Sequence, residues 1–142
     1  MKGNCLCGVV SFELSGVLPL IYQCHCSLCR QVSGSSSNSA LIIKESQFKW
    51  CTGEHQIKSF STHSGFKSEF CSQCGSPVPN MSSSGESYWV PAGLLTEAVD
   101  TKVAAHVYVG SHANWDVGFV NDGIPQFETM PSEQDWLALS GK

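Results

Sequence analysis

The chain has 142 residues, of which 42% are hydrophobic and 14% charged, and its formal net charge at pH 7 is −4. This length predicts one domain with its own core, spanning residues 1–142. The acidic balance argues against nucleic acid or an anionic membrane surface as the main partner. No apolar run approaches the roughly 20 residues that a membrane-spanning helix needs, and no signal peptide precedes Cys5, so the sequence predicts a cytoplasmic protein.

Short strands are predicted along most of the chain, because apolar and polar residues alternate in short runs bounded by turn residues. In the first run, residues 7–14, the side chains of Val10, Phe12 and Leu14 share one face. Short strands at such regular spacing predict a mostly-β chain. The further predicted strands are residues 40–43, 48–52, 56–62, 66–70, 87–90 and 103–109.

Two short helices are predicted, and residues 91–95 favour a bend or a further short helix. Residues 27–32 favour a single helical turn that ends at Gly34, and residues 133–139 favour a C-terminal helix. Ser132 caps that second helix, and Asp135 three residues later completes a variant of the capping box. The small polar residues 34–39 predict either a surface loop or the rim of a ligand pocket.

The eight cysteines indicate either disulfides or metal binding. Three features favour metal: there is no export signal, the one-residue gaps suit local disulfides poorly, and short loops can turn several thiolates toward one point. Seven of the cysteines fall into three groups and one stands alone. The groups are Cys5 with Cys7, Cys24 with Cys26 and Cys29, and Cys71 with Cys74, and the remaining thiol is Cys51.

The two outer pairs predict a structural zinc site. Zinc prefers four tetrahedral ligands, and a closed shell of four thiolates leaves no position for chemistry. Such a site would tie the first predicted strand to the strand that ends at Phe70, so that metal binding would contribute directly to folding. Its four ligands would be Cys5, Cys7, Cys71 and Cys74.

The central run predicts a second, catalytic zinc. Cys24, Cys26 and Cys29 supply three thiolates, and three protein ligands plus one exchangeable position are typical of catalytic zinc. The alternative is a closed site whose fourth ligand is His25 or Cys51. His25 is poorly placed because both of its neighbours are predicted ligands, and a lone cysteine such as Cys51 is usually a small buried hydrophobic residue.

Other side chains have weaker functional signals. Arg30, the single arginine of the chain, follows a predicted ligand, so it either contacts a substrate carboxylate or donates hydrogen bonds to the zinc thiolates. His112 and Asp122 lie in an aromatic C-terminal segment that can cover the second zinc, which makes them candidates for proton transfer. His106 is predicted to be a structural residue within a strand. Four tryptophans are predicted to pack in or around the core, namely Trp50, Trp89, Trp115 and Trp136.

The cysteine motifs resemble those of the glutathione-dependent formaldehyde-activating enzyme family, also called the centromere-protein-V-like domain. The matching motifs are Gly-Asn-Cys-Leu-Cys-Gly at residues 3–8, Cys-His-Cys-Ser-Leu-Cys-Arg at 24–30 with Ser-Gly at 33–34, and Phe-Cys-Ser-Gln-Cys-Gly-Ser at 70–76. Two weaker matches follow in the same order, Ala-Gly-Leu-Leu at 92–95 and Asp-Gly-Ile-Pro-Gln-Phe-Glu at 122–128, so the resemblance spans nearly the whole chain.

The resemblance implies a fold of zinc-bound antiparallel sheets, sometimes called a β-tent. It implies two Zn²⁺ per chain, a structural one at Cys5, Cys7, Cys71 and Cys74 and a second one at Cys24, Cys26 and Cys29. The implied activity is the joining of formaldehyde to the thiol of glutathione, which gives S-hydroxymethylglutathione and is a carbon–sulfur lyase reaction. The chain departs from the family at Lys67-Ser68-Glu69, where an arginine is frequent, and at Asn114, where a proline commonly precedes the tryptophan. These departures concern the pocket and hence the substrate.

Two other classes of function compete with the lyase. A non-catalytic zinc-binding module that mediates protein interaction would need a closed second zinc site and an exposed apolar patch. A thiol redox or metal-buffer protein would release zinc to mild chelators, which the predicted closed shell of four thiolates opposes.

Overall fold

The computed structural model of the protein describes residues 1–140 and confirms a mostly-β fold with little helix. The described residues form two helices, α1 at Ser27–Ser33 and α2 at Glu133–Leu139. None of the helices in this part of the chain combines the length and apolar character needed to cross a membrane. The strands, in chain order, are β1 Lys2–Asn4, β2 Ser11–Leu14, β3 Ile21–Cys24, β4 Asn38–Lys44, β5 Phe48–Thr52, β6 Ile57–Ser61, β7 Lys67–Cys71, β8 Asn80–Met81, β9 Ser87–Pro91, β10 Val103–Val107 and β11 Gln126–Phe127.

The chain divides into two compact units. The first consists of Met1–Pro19 and Ala40–Thr101, and the second consists of Leu20–Ser39 and the segment that begins at Lys102. Each unit contains one of the two predicted groups of metal ligands. The assignment of residues 1–142 to a single domain stays a prediction.

The first unit is built from antiparallel strands, as predicted. β2 pairs with both β1 and β5, β6 pairs with β7, and β9 pairs with β4 and with β8. Aromatic side chains on β2, β5 and β9 pack together, and the rings of Phe48 and Tyr88 stack with centroids 3.8 Å apart. Gly3 lies opposite Phe12 on the paired strand, and a side chain at this position would collide with the Phe12 ring.

The second unit contains parallel pairings that the sequence did not predict. β10 runs parallel to both β3 and β11, so that Val107 lies opposite Cys24 on one side and Phe127 on the other. The ring of Trp136 on α2 packs edge-on against Tyr22 of β3, with centroids 5.9 Å apart. The pairing of β3 with β10 therefore fixes the position of Cys24, the first residue of the central cysteine run.

Most predicted elements are confirmed to within one or two residues, but the first predicted strand is wrong in its N-terminal half. Residues 5–10 form a turn, in which the backbone N–H of Cys5 donates to Val10 and that of Gly8 donates to Cys5, and β2 begins only at Ser11. The turn needs a left-handed residue, which Gly8 supplies with φ of 81°. The sequence did not predict the short strands β1, β3, β8 and β11.

Both predicted helices are confirmed. α1 ends at Gly34, whose left-handed conformation (φ 63°) lets its N–H donate to the carbonyl of Arg30. α2 has the predicted bounds, and Ser132 and Asp135 form the predicted reciprocal capping box. Residues 34–37 form a loop, whereas Asn38 and Ser39 already belong to β4.

Candidate metal centres

Seven thiols meet in two clusters, within each of which all sulfur atoms lie within 4.8 Å of one another. The four-cysteine cluster is in the first unit and the three-cysteine cluster is in the second. All eight cysteines of the chain are free rather than disulfide-bonded. Both clusters could therefore hold a metal ion. The four-cysteine cluster consists of Cys5, Cys7, Cys71 and Cys74, and the three-cysteine cluster consists of Cys24, Cys26 and Cys29.

The sulfur spacing of the four-cysteine cluster fits a tetrahedral zinc ion. Metal–sulfur bonds of about 2.3 Å in a tetrahedron place the sulfurs about 3.8 Å apart. The Sγ atom of Cys7 lies 3.6 Å from that of Cys5 and 3.9 Å from that of Cys71. Two turns bring these thiols together, the turn at residues 5–8 and the turn after β7, where the N–H of Gly75 donates to the carbonyl of Cys71.

Hydrogen-bond donors stabilise negative charge on the four-cysteine cluster. The backbone N–H of Val10 donates to the sulfur of Cys5, at 3.3 Å. Hydrogen bonds from Ser76 lower the pKa of Cys74 to about 5. Cys5 and Cys71 are fully buried and pack with Val10 and Val78, so the cluster is part of the core of the first unit. Thiolates are the form that binds metal, and the contacts with Ser76 favour a thiolate at Cys74, whereas the pKa of Cys7 in the same cluster is raised to about 11.

The three-cysteine cluster is built from the end of β3 and the first turn of α1. Cys24 is the last residue of β3, Cys26 is the N-cap of α1, and Cys29 lies one helical turn later. The sulfur of Cys26 accepts a hydrogen bond from the backbone N–H of Cys29, at 3.3 Å. A hydrogen bond from Cys29 lowers the pKa of Cys24 to about 6, and the same interaction raises the pKa of Cys29. Three converging sulfurs from six residues are a donor set that suits zinc.

Neither predicted alternative ligand belongs to the three-cysteine cluster. The side chain of His25 is buried and contacts other residues of the second unit, and Cys51 is exposed on β5. Among residues 1–140, no histidine, aspartate or glutamate joins the three thiols.

The second unit also contains a row of polar side chains that sequence reasoning missed, with two buried histidines between two partly exposed carboxylates. His25 Nε2 and His106 Nδ1 are hydrogen-bonded at 2.9 Å, and His106 Nε2 and the carboxylate of Asp122 are hydrogen-bonded at 2.7 Å. At the other end, Asp116 Oδ2 lies 3.3 Å from His25 Nδ1. Burial lowers the pKa of His25 and so favours its neutral ring. The ring of Phe119 packs against both imidazoles.

The remaining candidates have defined surroundings. Arg30 is half-buried, and its Nη2 donates to the carbonyl of Ser111 at 3.2 Å, while its Nε has no hydrogen-bond partner in the described part of the chain. The Nδ1 of His112 donates to the carbonyl of Val109. Trp115 is 67% exposed and therefore does not pack in the core. The catalytic or binding roles of Arg30, His112 and Asp122 stay predictions.

Comparison with known proteins agrees with the pattern of the cysteines. A sequence model of the family described as glutathione-dependent formaldehyde-activating enzyme matches residues 1–111, which include both clusters. The weaker motif at residues 122–128 lies beyond the matched part. The crystal structure of a Rhodobacter sphaeroides protein superposes with a TM-score of 0.58 at 23% identity, covering 89% of this chain and 99% of that chain. This similarity shows the fold alone. None of the curated proteins compared with the chain matches it.

Proposed function

Because the chain belongs to the glutathione-dependent formaldehyde-activating enzyme family, we propose that it is a carbon–sulfur lyase that joins a small aldehyde to a thiol such as glutathione. With formaldehyde, a carbon–sulfur bond forms, the carbonyl becomes a hydroxyl group, and one proton moves from sulfur to oxygen. The product is an S-hydroxymethyl adduct. Eight free thiols suit a reducing compartment such as the cytoplasm, where glutathione is abundant, and we place the protein there.

The four-cysteine cluster is the structural zinc site in this proposal. Its support is the sulfur spacing of 3.6 and 3.9 Å, close to the edge of a zinc–thiolate tetrahedron. Four protein ligands complete the coordination of the ion, so the site stabilises the first unit and leaves no position for a substrate.

The three-cysteine cluster is the catalytic zinc site, and the observation that carries the proposal is its three convergent sulfurs without a fourth protein donor among the described residues. These three residues would hold a zinc ion, which would supply an exchangeable position and lower the pKa of a thiol bound there. Cys24 and Cys29 are buried, whereas Cys26 is half-buried, so the substrate thiol would approach from the side of Cys26. Holding thiol and aldehyde together makes their reaction effectively unimolecular.

Arg30 is the proposed contact for a carboxylate of the thiol substrate. It follows the ligand Cys29 directly, so its side chain originates beside the proposed zinc site. Its hydrogen bond to the carbonyl of Ser111 orients the guanidinium, and its Nε has no hydrogen-bond partner among residues 1–140. A guanidinium pairs with a carboxylate through two parallel hydrogen bonds, a geometry that lysine lacks.

The test is the substitution Cys26→Ser, because serine is a preferred N-cap and can replace the hydrogen bond to Cys29 while removing a thiolate. We expect two zinc ions per wild-type chain and one per Cys26→Ser chain. Exchange NMR with ¹³C-formaldehyde and glutathione would measure adduct formation above the uncatalysed rate. Cys26→Ser should lose this acceleration, whereas Cys51→Ser, which changes a thiol outside both clusters, should keep it. Full activity of Cys26→Ser with one zinc would refute the mechanism.

A non-catalytic zinc-binding module that mediates protein interaction is the second candidate function. It is favoured by the exposure of apolar side chains in the C-terminal segment, where Trp115 is 67% and Val117 is 65% exposed. Equilibrium dialysis with millimolar glutathione separates the two candidates. Binding that is lost in Arg30→Lys supports the lyase, and no binding by the zinc-loaded wild type supports the interaction module.

A further inference from the structure

Two histidines and two carboxylates form a continuous chain inside the second unit, in the order Asp116, His25, His106 and Asp122. The histidines are almost fully buried, with 2% of His25 and 1% of His106 exposed. Phe119 shields both rings, with centroid distances of 4.3 and 4.9 Å. Of the three contacts, those of His106 with His25 and with Asp122 are hydrogen bonds, and such bonds to buried rings fix one arrangement of the side chains.

The direction of the hydrogen bonds follows from the chemistry of Asp122. Its pKa is lowered, first by the backbone N–H of Ile124 and then by His106, so the carboxylate is ionised and can only accept. Because Asp122 accepts, His106 donates to it and carries a proton on Nε2. A neutral imidazole then has an acceptor at Nδ1, and His25 must donate to it from Nε2.

Two neutral imidazole rings carry two N–H protons between them, so one of the three contacts has no proton. If the proton of neutral His25 is on Nε2, its Nδ1 has only a lone pair to present to Asp116. The distance from His25 Nδ1 to Asp116 Oδ2 is 3.3 Å, longer than the other two links, and neither atom has a hydrogen-bond partner among the described residues.

The histidine chain is connected directly to the three-cysteine cluster. His25 lies between Cys24 and Cys26, whose sulfurs converge, while its own ring is buried among other residues. The backbone N–H of His25 also donates to the carbonyl of Val107 at 3.0 Å. The loop that carries two proposed ligands is thus held both by its backbone and by the His25 ring.

We propose that Asp122 and His106 are positioning residues, which fix the proton of His106 on Nε2 and thereby hold the His25 ring and the loop carrying Cys24 and Cys26. The metal-binding part of this inference rests on the proposed function of the three-cysteine cluster. It gives a role to the Asp-Gly-Ile-Pro motif at residues 122–125, because Asp122 accepts from the N–H of Ile124, and the carbonyl of Pro125 accepts from the N–H of His106. The outer partners of metal sites orient the residues that bind the metal.

The tautomers are tested by ¹⁵N NMR of the histidine rings in the zinc-loaded protein, with metal-free protein as a comparison. We expect both neutral rings to carry their proton on Nε2. The amide that replaces the carboxylate in Asp122→Asn can donate as well as accept, so this variant should allow a second population of His106 protonated on Nδ1. A proton on Nδ1 of His106 in the wild type, a charged His106, or an unchanged tautomer in Asp122→Asn would overturn the inference.

Two variants of His106 test positioning against simple packing. In His106→Asn, an amide oxygen near the place of Nδ1 can still accept from His25. In His106→Gln, the longer side chain reaches the place of Nε2 and keeps only the contact to Asp122. Cobalt(II) affinity, from the thiolate charge-transfer absorption, should weaken about tenfold at the three-cysteine cluster of His106→Gln and stay near the wild-type value in His106→Asn.

The four-cysteine cluster is the internal reference for these variants, because its cobalt affinity reports that the chain has folded. If both variants bind cobalt at the three-cysteine cluster as tightly as the wild type does, His106 does not position the loop. If both lose affinity equally while the four-cysteine cluster is unchanged, packing rather than the hydrogen bond matters, and the inference fails. If the wild type binds a single cobalt ion, the proposed function fails, whereas the tautomer measurement still stands independently.

Discussion

The structural zinc proposal makes a quantitative prediction about the four-cysteine cluster. Cys7 and Cys71 are 64 residues apart in the chain, and a metal that links them closes a loop of that length. In the chain-entropy treatment of cross-links, such a loop adds about 4 kcal/mol to the free energy of unfolding at 25 °C. The double substitution Cys7→Ser and Cys74→Ser removes two ligands at positions that are not buried, so the new hydroxyls reach water. We expect the variant to lose about 4 kcal/mol.

The measurement is urea unfolding of the zinc-loaded proteins, followed by tryptophan fluorescence and circular dichroism. Cys26→Ser is the matched control, because the three-cysteine cluster links residues only a few positions apart. Because the entropy of closure depends on the logarithm of loop length, this control should lose about 2 kcal/mol less than the double variant. Equal losses in the two proteins, or a loss below about 1 kcal/mol in the double variant, would show that the cluster does not cross-link the first unit.

Three further perturbations have defined outcomes. Gly3→Ala should destabilise the protein by about 1–3 kcal/mol in urea unfolding, because the new methyl group meets the Phe12 ring, whereas Gly118→Ala has open space around it and should be neutral. Ser132→Ala should lose about 1 kcal/mol, because it removes the N-cap of α2, and Ser132→Thr, which keeps the hydroxyl that also donates to Asp135, should restore most of it. The folded-state pKa of Asp122 lies below its ordinary value of 3.8, so its contribution to stability is present above that pH and is lost as the pH falls through the folded value. The difference in urea midpoint between wild type and Asp122→Asn should therefore shrink below about pH 4, and a constant difference would contradict the assignment.

The sequence was sufficient to predict which cysteines group together, because the spacing within each motif is local and the preference of zinc for four ligands joins the two distant pairs. It was also sufficient for the longer strands and both helix ends, where alternation, Gly34 and the capping box act within a few residues. The prediction from sequence failed at residues 7–10, where apolar and polar residues alternate as they do in a strand. There the turn that brings Cys5 and Cys7 to one point takes precedence over the local pattern.

The short strands β1, β8 and β11 span two or three residues, too few for any periodicity to be recognised. β3 has four residues and directly precedes the central cysteine run, so its sequence is equally compatible with a strand and with the start of a loop. Its partner β10 is parallel and about 80 residues away, and nothing local distinguishes a strand with such a partner from one without it.

The same topology explains why the buried histidine pair could not be predicted. His25 and His106 are 81 residues apart. In the sequence each is an isolated histidine, the first between two predicted cysteine ligands and the second in a predicted apolar strand. The parallel register that places Val107 opposite Cys24 also brings the two rings together. The three thiols of the cluster thus come from six residues, whereas under our proposal their orientation depends on a strand and a C-terminal motif from the far end of the chain. Substitutions in residues 103–125 should consequently affect the three-cysteine cluster while leaving the number of its ligands unchanged.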